Sequence, residues 1–166
     1  MNDVRDTAGV IAPPPLIALA AAVIGLGLDW LLPAYVLSQF LSLSVRVVLA
    51  VVLIGSGGAL ALAAERRFVR VGTEVKPWKP STALVTDGVF QWLRNPMYVG
   101  LTSMLVGFAI GLASEWTLVM TVAFVLVIHF GVVRREERYL EAKFGDAYRN
   151  YKARVPRYGW PPAGSA

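Results

Sequence analysis

Arg134-Arg135-Glu136-Glu137-Arg138-Tyr139-Leu140 stands directly after an uninterrupted apolar run, Trp116 to Val133. A helix that is apolar over such a length and then abruptly charged is the pattern of a membrane span reaching the headgroup layer. Arg94-Asn95-Pro96-Met97-Tyr98 has the same character in reverse. There a basic residue is followed by an asparagine N-cap, a proline at the first helical position and an apolar run to about Ala113. The two stretches are the free ends of a helical hairpin turned at Ser114-Glu115. Both are therefore expected at one membrane face, where they would enclose a site.

Composition supports that reading. Of 166 residues, 56% are hydrophobic and only 16% charged, with a mean hydropathy of +0.57, whereas soluble chains carry about a quarter charged residues. The chain has no cysteine and one histidine, so disulfides, thiolate metal sites and a histidine-rich metal centre are excluded, and no metal is expected. The formal charge of +5 belongs to residues that flank apolar runs. It reads as a topology signal and an attraction to anionic lipid rather than as a nucleic-acid surface.

Taken in order, the chain predicts an all-α fold: a polytopic membrane helical bundle forming a single domain over residues 1–166. Spans are expected at about 16–32, 45–64, 98–113 and 116–133, with a connecting segment at 65–95 and a C-terminal cytosolic helix at 134–157. The leader carries Asp3 and Asp6 against Arg5, and the first apolar run continues beyond Ala20-Ala21-Ala22, so a cleaved signal peptide is not expected. Six lysines and arginines fall in 65–95 and eight in 134–157, fourteen of the sixteen. The positive-inside rule places those segments, and with four spans both termini, in the cytoplasm of a cell whose inner membrane holds the chain. Arg46 is close enough to the start of its span to snorkel. Gly55, Gly57 and Gly58 in the second span let a neighbouring helix or a ligand approach the backbone closely, and Gly100, Ser103, Gly107 and Gly111 give the third span a small face for tight packing against another helix, one that also permits a homodimer. Thr86-Asp87-Gly88 reads as a turn and cap before a short amphipathic helix whose Phe90 and Trp92 suit the headgroup layer.

Among residues able to carry chemistry, Glu136 and Glu137 are neighbours at the inner end of a span. Successive helical residues point about 100° apart. One carboxylate is therefore expected to pair outward with Arg134, Arg135 or Arg138 and the other to face the bundle. His129 lies about one and a half turns deeper, a titratable group inside a span. Asn95-Pro96 marks a helix N-terminus, which attracts a carboxylate or phosphate, and Tyr98 follows one residue inside. Acidic groups and a helix N-terminus at one face suit a zwitterion bearing an ammonium or sulfonium together with a carboxylate. S-adenosylmethionine is such a ligand.

Leu84-Val85-Thr86-Asp87-Gly88-Val89-Phe90-Gln91-Trp92-Leu93-Arg94-Asn95-Pro96-Met97-Tyr98-Val99-Gly100 resembles the isoprenylcysteine carboxyl methyltransferase family and its relatives among phospholipid methyltransferases. Glu136-Glu137-Arg138-Tyr139-Leu140, Phe144-Gly145-Asp146-Ala147-Tyr148 and Tyr151 to Pro156 look like the C-terminal signature of the same family. The resemblance implies a helical membrane enzyme that binds S-adenosyl-L-methionine in a cytosolic pocket capped by its C-terminal segment. A lipophilic or lipid-linked acceptor would arrive from the bilayer. It implies cofactor contacts from Leu84, Val85, Asn95, Pro96, Tyr98, His129, Glu136 and Glu137. Asn95 departs from the family's Arg-His-Pro-x-Tyr pattern, where an amide still donates and accepts hydrogen bonds. Arg134 or Arg94 would steer an anionic acceptor, and His129 is the imidazole available to an amine acceptor. Sterol reductases, which use NADPH, end in a similar tyrosine-rich tail and give a second enzymatic reading. A membrane scaffold or carrier is the third.

Overall fold

The computed structural model describes residues 7–74, 76 and 78–159, and every regular element among them is helical. Asp3, Arg5, Asp6 and Pro77 lie outside the described residues.

The helices are α1 (Pro14–Leu31), α2 (Val36–Phe40), α3 (Leu43–Val71), α4 (Pro96–Leu112), α5 (Glu115–Ile128), α6 (Arg134–Phe144) and α7 (Asp146–Arg154). A single π turn, His129–Val133, fuses α5 to α6, so that one helical rod runs from Glu115 to Phe144. This rod, α1 and α3 are long and apolar enough to cross a membrane, while α4 is an apolar helix of 17 residues. The four rods alternate in direction. At one end lie the start of α1, the end of α3, the start of α4 and α6, and this end carries most of the basic residues.

The boundaries at α3 differ from expectation. Glu65, Arg66, Arg67 and Arg70 continue the helix, which stops at Gly72. Glu and Arg are good helix formers, and Gly72 takes the left-handed C-cap conformation, φ 73°, that side-chain-bearing residues resist. The connecting segment therefore begins at residue 72. The tail is likewise two helices rather than one. Gly145, at φ 53° and ψ −125°, breaks it in a region open to glycine alone.

Small residues set the packing of α3 on α4. A Cβ on Gly100 would fall inside the van der Waals radius of the Gly57 carbonyl, and one on Gly57 would strike the Gly100 carbonyl. Ser103 Oγ donates to the Leu53 carbonyl at 2.9 Å, and Gly107 and Gly111 sit over Ala50. In lipid, where apolar burial gives no driving force between helices, such close backbone approach and interhelical hydrogen bonding hold them together. The small face of α4 is thus consumed within the chain and is not free for a second copy. Of the α3 glycines only Gly57 serves this contact; Gly55 and Gly58 meet nothing.

At the far end α1 caps α5 from outside. Asp29 accepts from the Ser114 hydroxyl and, at 3.3 Å, from the Trp116 amide, while Trp116 Nε1 donates to the Leu32 carbonyl at 2.7 Å. At the basic end a core of Ala64, Val85, Phe90, Tyr148, Tyr151 and Val155 joins α3, the connecting segment and α7. Phe90 lies on a 3₁₀ turn, Gly88–Gln91, and meets Phe68 edge to face at 5.1 Å. It is a core residue, not a headgroup aromatic, whereas Trp92 is 75% exposed. Asp87 does not cap this turn but pairs with Arg67 at 3.2 Å.

Candidate functional site

The basic end holds a cleft enclosing about 840 Å³ of atom-free space, open solvent at its mouth included. Its walls come from the connecting segment, the start of α4, α6 and α7. Leu84, Val85, Arg94, Asn95, Pro96, Tyr98, Glu136 and Glu137 all line it. Two sequence-predicted residues do not. His129 lies outside the lining, its Nδ1 2.9 Å from the Tyr158 hydroxyl, and Arg134 is exposed with its guanidinium over the Phe130 ring.

The π turn explains how α6 can serve the cleft. One extra residue in a turn rotates everything after it by about 100° relative to the face that α5 buries. Glu136 and Glu137 then point to different partners, as neighbours on a helix must. Neither pairs with Arg134, Arg135 or Arg138 among the described contacts. Arg135 instead donates to the Gly9 carbonyl at 2.8 Å and Arg138 to the Arg134 carbonyl at 3.2 Å.

Glu136 accepts from the Tyr98 hydroxyl, 3.0 Å and 2.9 Å from its two oxygens. Its partner there is a neutral donor. Glu137 is gripped by two guanidinium groups. Oε1 lies 2.8 Å from both Arg94 Nη1 and Arg157 Nε, and Oε2 lies 2.7 Å from Arg157 Nη2. The two parallel bonds from Arg157 form the bidentate fork that arginine makes with carboxylate. That bond to Glu137 also holds the Arg157 guanidinium above the usual arginine range. Arg94 donates further to the Tyr148 hydroxyl at 3.3 Å, and burial pushes that phenol up to about 12.

Asn95 precedes α4 as expected, but its side chain does not cap the helix. Nδ2 donates instead to the Arg157 carbonyl at 3.2 Å, and the Arg94 amide donates to the Pro156 carbonyl at 2.9 Å. Arg157 and Tyr148 escaped the sequence reading of the site. The signal for Tyr148 was its helical register with Tyr151. For Arg157, just past Pro156, there was none.

Two features of the walls bear on a ligand. Arg94 Nε is buried with no hydrogen-bond partner, an orphaned donor whose cost a bound anionic group would remove. Asn95, Pro96, Met97 and Tyr98, at the start of α4, line the same cleft, and the first amides of a helix lack intrahelical partners. Anionic and cationic groups thus line the cleft together with the apolar side chains of Leu84, Val85, Met97 and Leu140. This arrangement can orient a zwitterion. Among the described residues, no cluster suits a metal ion.

The model of the phospholipid methyltransferase family matches residues 45–147. The chain is similar to a protein-S-isoprenylcysteine O-methyltransferase of Schizosaccharomyces pombe, 38% identical over 82 residues, covering 44% of this chain and 31% of that protein. It is similar also to protein-S-isoprenylcysteine O-methyltransferase B of Arabidopsis thaliana, 37% identical over 76 residues, 44% of this chain and 37% of the relative. An uncharacterized protein of Haemophilus influenzae is 40% identical over 62 residues, 37% of this chain and 98% of that protein. The chain spans about a third of the two methyltransferases it matches. No solved structure matches it.

Proposed function

From the premise that the chain belongs to the phospholipid methyltransferase family, we propose that it is an S-adenosyl-L-methionine-dependent methyltransferase acting on a lipophilic or lipid-linked acceptor. The observation that carries this reading is the juxtaposition of the Tyr98–Glu136 pair, the Asn95-Pro96 helix start and the orphaned Arg94 Nε in one cleft. We place all four rods across the membrane, with the basic end and both termini cytoplasmic. The 17 residues of α4 rise about 25 Å, just short of the hydrocarbon thickness. Membrane lipids would surround the exposed apolar faces of α1 and α3.

The donor set fits the cofactor. Glu136, oriented by Tyr98, would hold its ammonium or ribose hydroxyls. Arg94 Nε and the first free amides of α4 would receive its carboxylate, and Leu84 and Val85 would pack against its apolar part. When bound, the cofactor supplies an electrophilic methyl group. The protein's task is then to fix the in-line approach and exclude water more than to move protons. Lipid-linked carboxylate, thiolate and phospholipid amine are the acceptor classes this chemistry serves. An anionic acceptor would need no base, and Arg94 and Lys76 are cations lining the cleft that would steer it.

The reductase and scaffold readings gain nothing from the family match. Calorimetry on the purified protein tests the proposal: S-adenosylmethionine binds and NADPH does not. Wild type that fails to bind the methyl donor at millimolar concentration would overturn it.

A further inference from the structure

We infer that Glu137 is a positioning residue rather than a ligand: it latches a C-terminal strap, residues 155–158, to the start of α4 and so fixes the Arg94–Asn95 wall of the cleft. The inference takes the nature of the cleft's ligand from the proposed function; the latch itself rests on geometry alone.

The strap is held at successive points. The Pro156 carbonyl accepts from the Arg94 amide, the Arg157 carbonyl from Asn95 Nδ2, the Arg157 guanidinium grips Glu137 with two bonds, and the Tyr158 hydroxyl meets His129. None of residues 155–158 lines the cleft, yet Arg94, Asn95 and Glu137, which they hold, all do. The strap therefore acts on the site through those residues.

The ion triad has one permanent pair and one detachable member. Arg94 and Glu137 have side chains 9% exposed, whereas that of Arg157 is 32% exposed. A buried carboxylate stripped of its last cation is costly. Here release of Arg157 returns a half-wet guanidinium to water and leaves Glu137 paired with Arg94 at 2.8 Å. The strap can thus open without stranding a charge. Both Glu137 oxygens are already engaged when it is closed, which leaves Glu136 as the carboxylate for a ligand.

The test uses the absence of cysteine from the chain. Val155, the first residue of the strap, is 8% exposed and packs into the core when the strap is closed; Val155→Cys in the full chain, in lipid nanodiscs, reports strap opening by its rate of maleimide alkylation without any ligand. Arg157→Ala is expected to accelerate that alkylation about tenfold or more, and Arg157→Lys, which keeps the charge but loses the fork, to a smaller extent. Arg157→Ala should also weaken S-adenosylhomocysteine binding, although Arg157 lies outside the cleft lining.

A cysteine at Thr73, buried in the connecting segment outside the apolar runs, serves as the control for global unfolding. If it too is exposed by Arg157→Ala, the Arg157→Lys rates decide. Alkylation at the parent rate in that deciding variant overturns the latch. Wild type that binds no adenosyl ligand would defeat the functional reading while leaving the alkylation result standing.

Discussion

Arg94 Nη1 lies 2.8 Å from Glu137 Oε1, and both side chains are 9% exposed. Contacts of this kind, between a connecting segment and a helix more than forty residues on, hold the cleft's shape. Removing one partner leaves the other charged and buried, which costs about 3–5 kcal/mol. Glu137→Leu, which abandons two guanidinium groups at once, is expected to destabilise the protein by at least about 3 kcal/mol, read as a lowered unfolding midpoint in detergent. A midpoint unchanged from wild type would show that water reaches the pair and screens it.

The α3–α4 contact makes a second prediction by contrast between glycines. A side chain at Gly100 must displace the Gly57 backbone, which has nowhere to go between packed helices. Gly100→Val is therefore expected to cost about 1–3 kcal/mol or more. Gly58→Ala, where nothing lies within 4 Å, should be neutral or slightly stabilising because alanine favours the helix. Equal thermal shifts for the two would refute this packing.

Much of this fold was legible in the chain. The apolar runs, the Asn95-Pro96 start of α4 and the Ser114 turn mark the helices because each depends on local backbone chemistry. The extension of α3 to Val71 was legible too, through Gly72, but the charges at 65–70 were read as loop. In fact they ride the continuation of α3 beyond its apolar stretch. Phe90 misled because aromatic residues of a core and of a headgroup layer look alike until a partner, here Phe68, is known. At the site, Tyr98 and Glu136 were both named from sequence. That Glu137 pairs with Arg94 and Arg157 rather than with its basic neighbours was not legible. The choice is made by the π turn and by a strap whose position no local pattern encodes.

Alkaline stability gives a third prediction. Burial raises Tyr148 to about 12, and burial likewise raises Tyr158 to about 12. Both are phenols outside the apolar runs. For a group whose pKa is higher folded than unfolded, the stabilisation is complete below the unfolded value, near 10, and is lost as pH rises through the folded one. The unfolding temperature should therefore hold to about pH 10 and fall between about 10 and 12, with a shallower fall in Tyr148→Phe. Loss already complete at pH 9 would contradict the buried placement of these rings.

Glu136 carries the most direct consequence for binding. Its carboxylate is oriented by the Tyr98 hydroxyl, whose oxygen lies 2.9 Å and 3.0 Å from the two carboxylate oxygens. If it holds the ammonium or ribose of the cofactor, it contacts a part that donor and product share. Glu136→Gln should then weaken S-adenosylmethionine and S-adenosylhomocysteine alike, by about tenfold, the scale of one charge-assisted hydrogen bond. Tyr98→Phe, which frees the carboxylate without removing it, should weaken both by less. A loss confined to S-adenosylmethionine would instead seat Glu136 against the sulfonium, because only the donor is charged at sulfur. No loss for either ligand would remove Glu136 from the site altogether, and with it the strongest reason to seat the cofactor beside Tyr98.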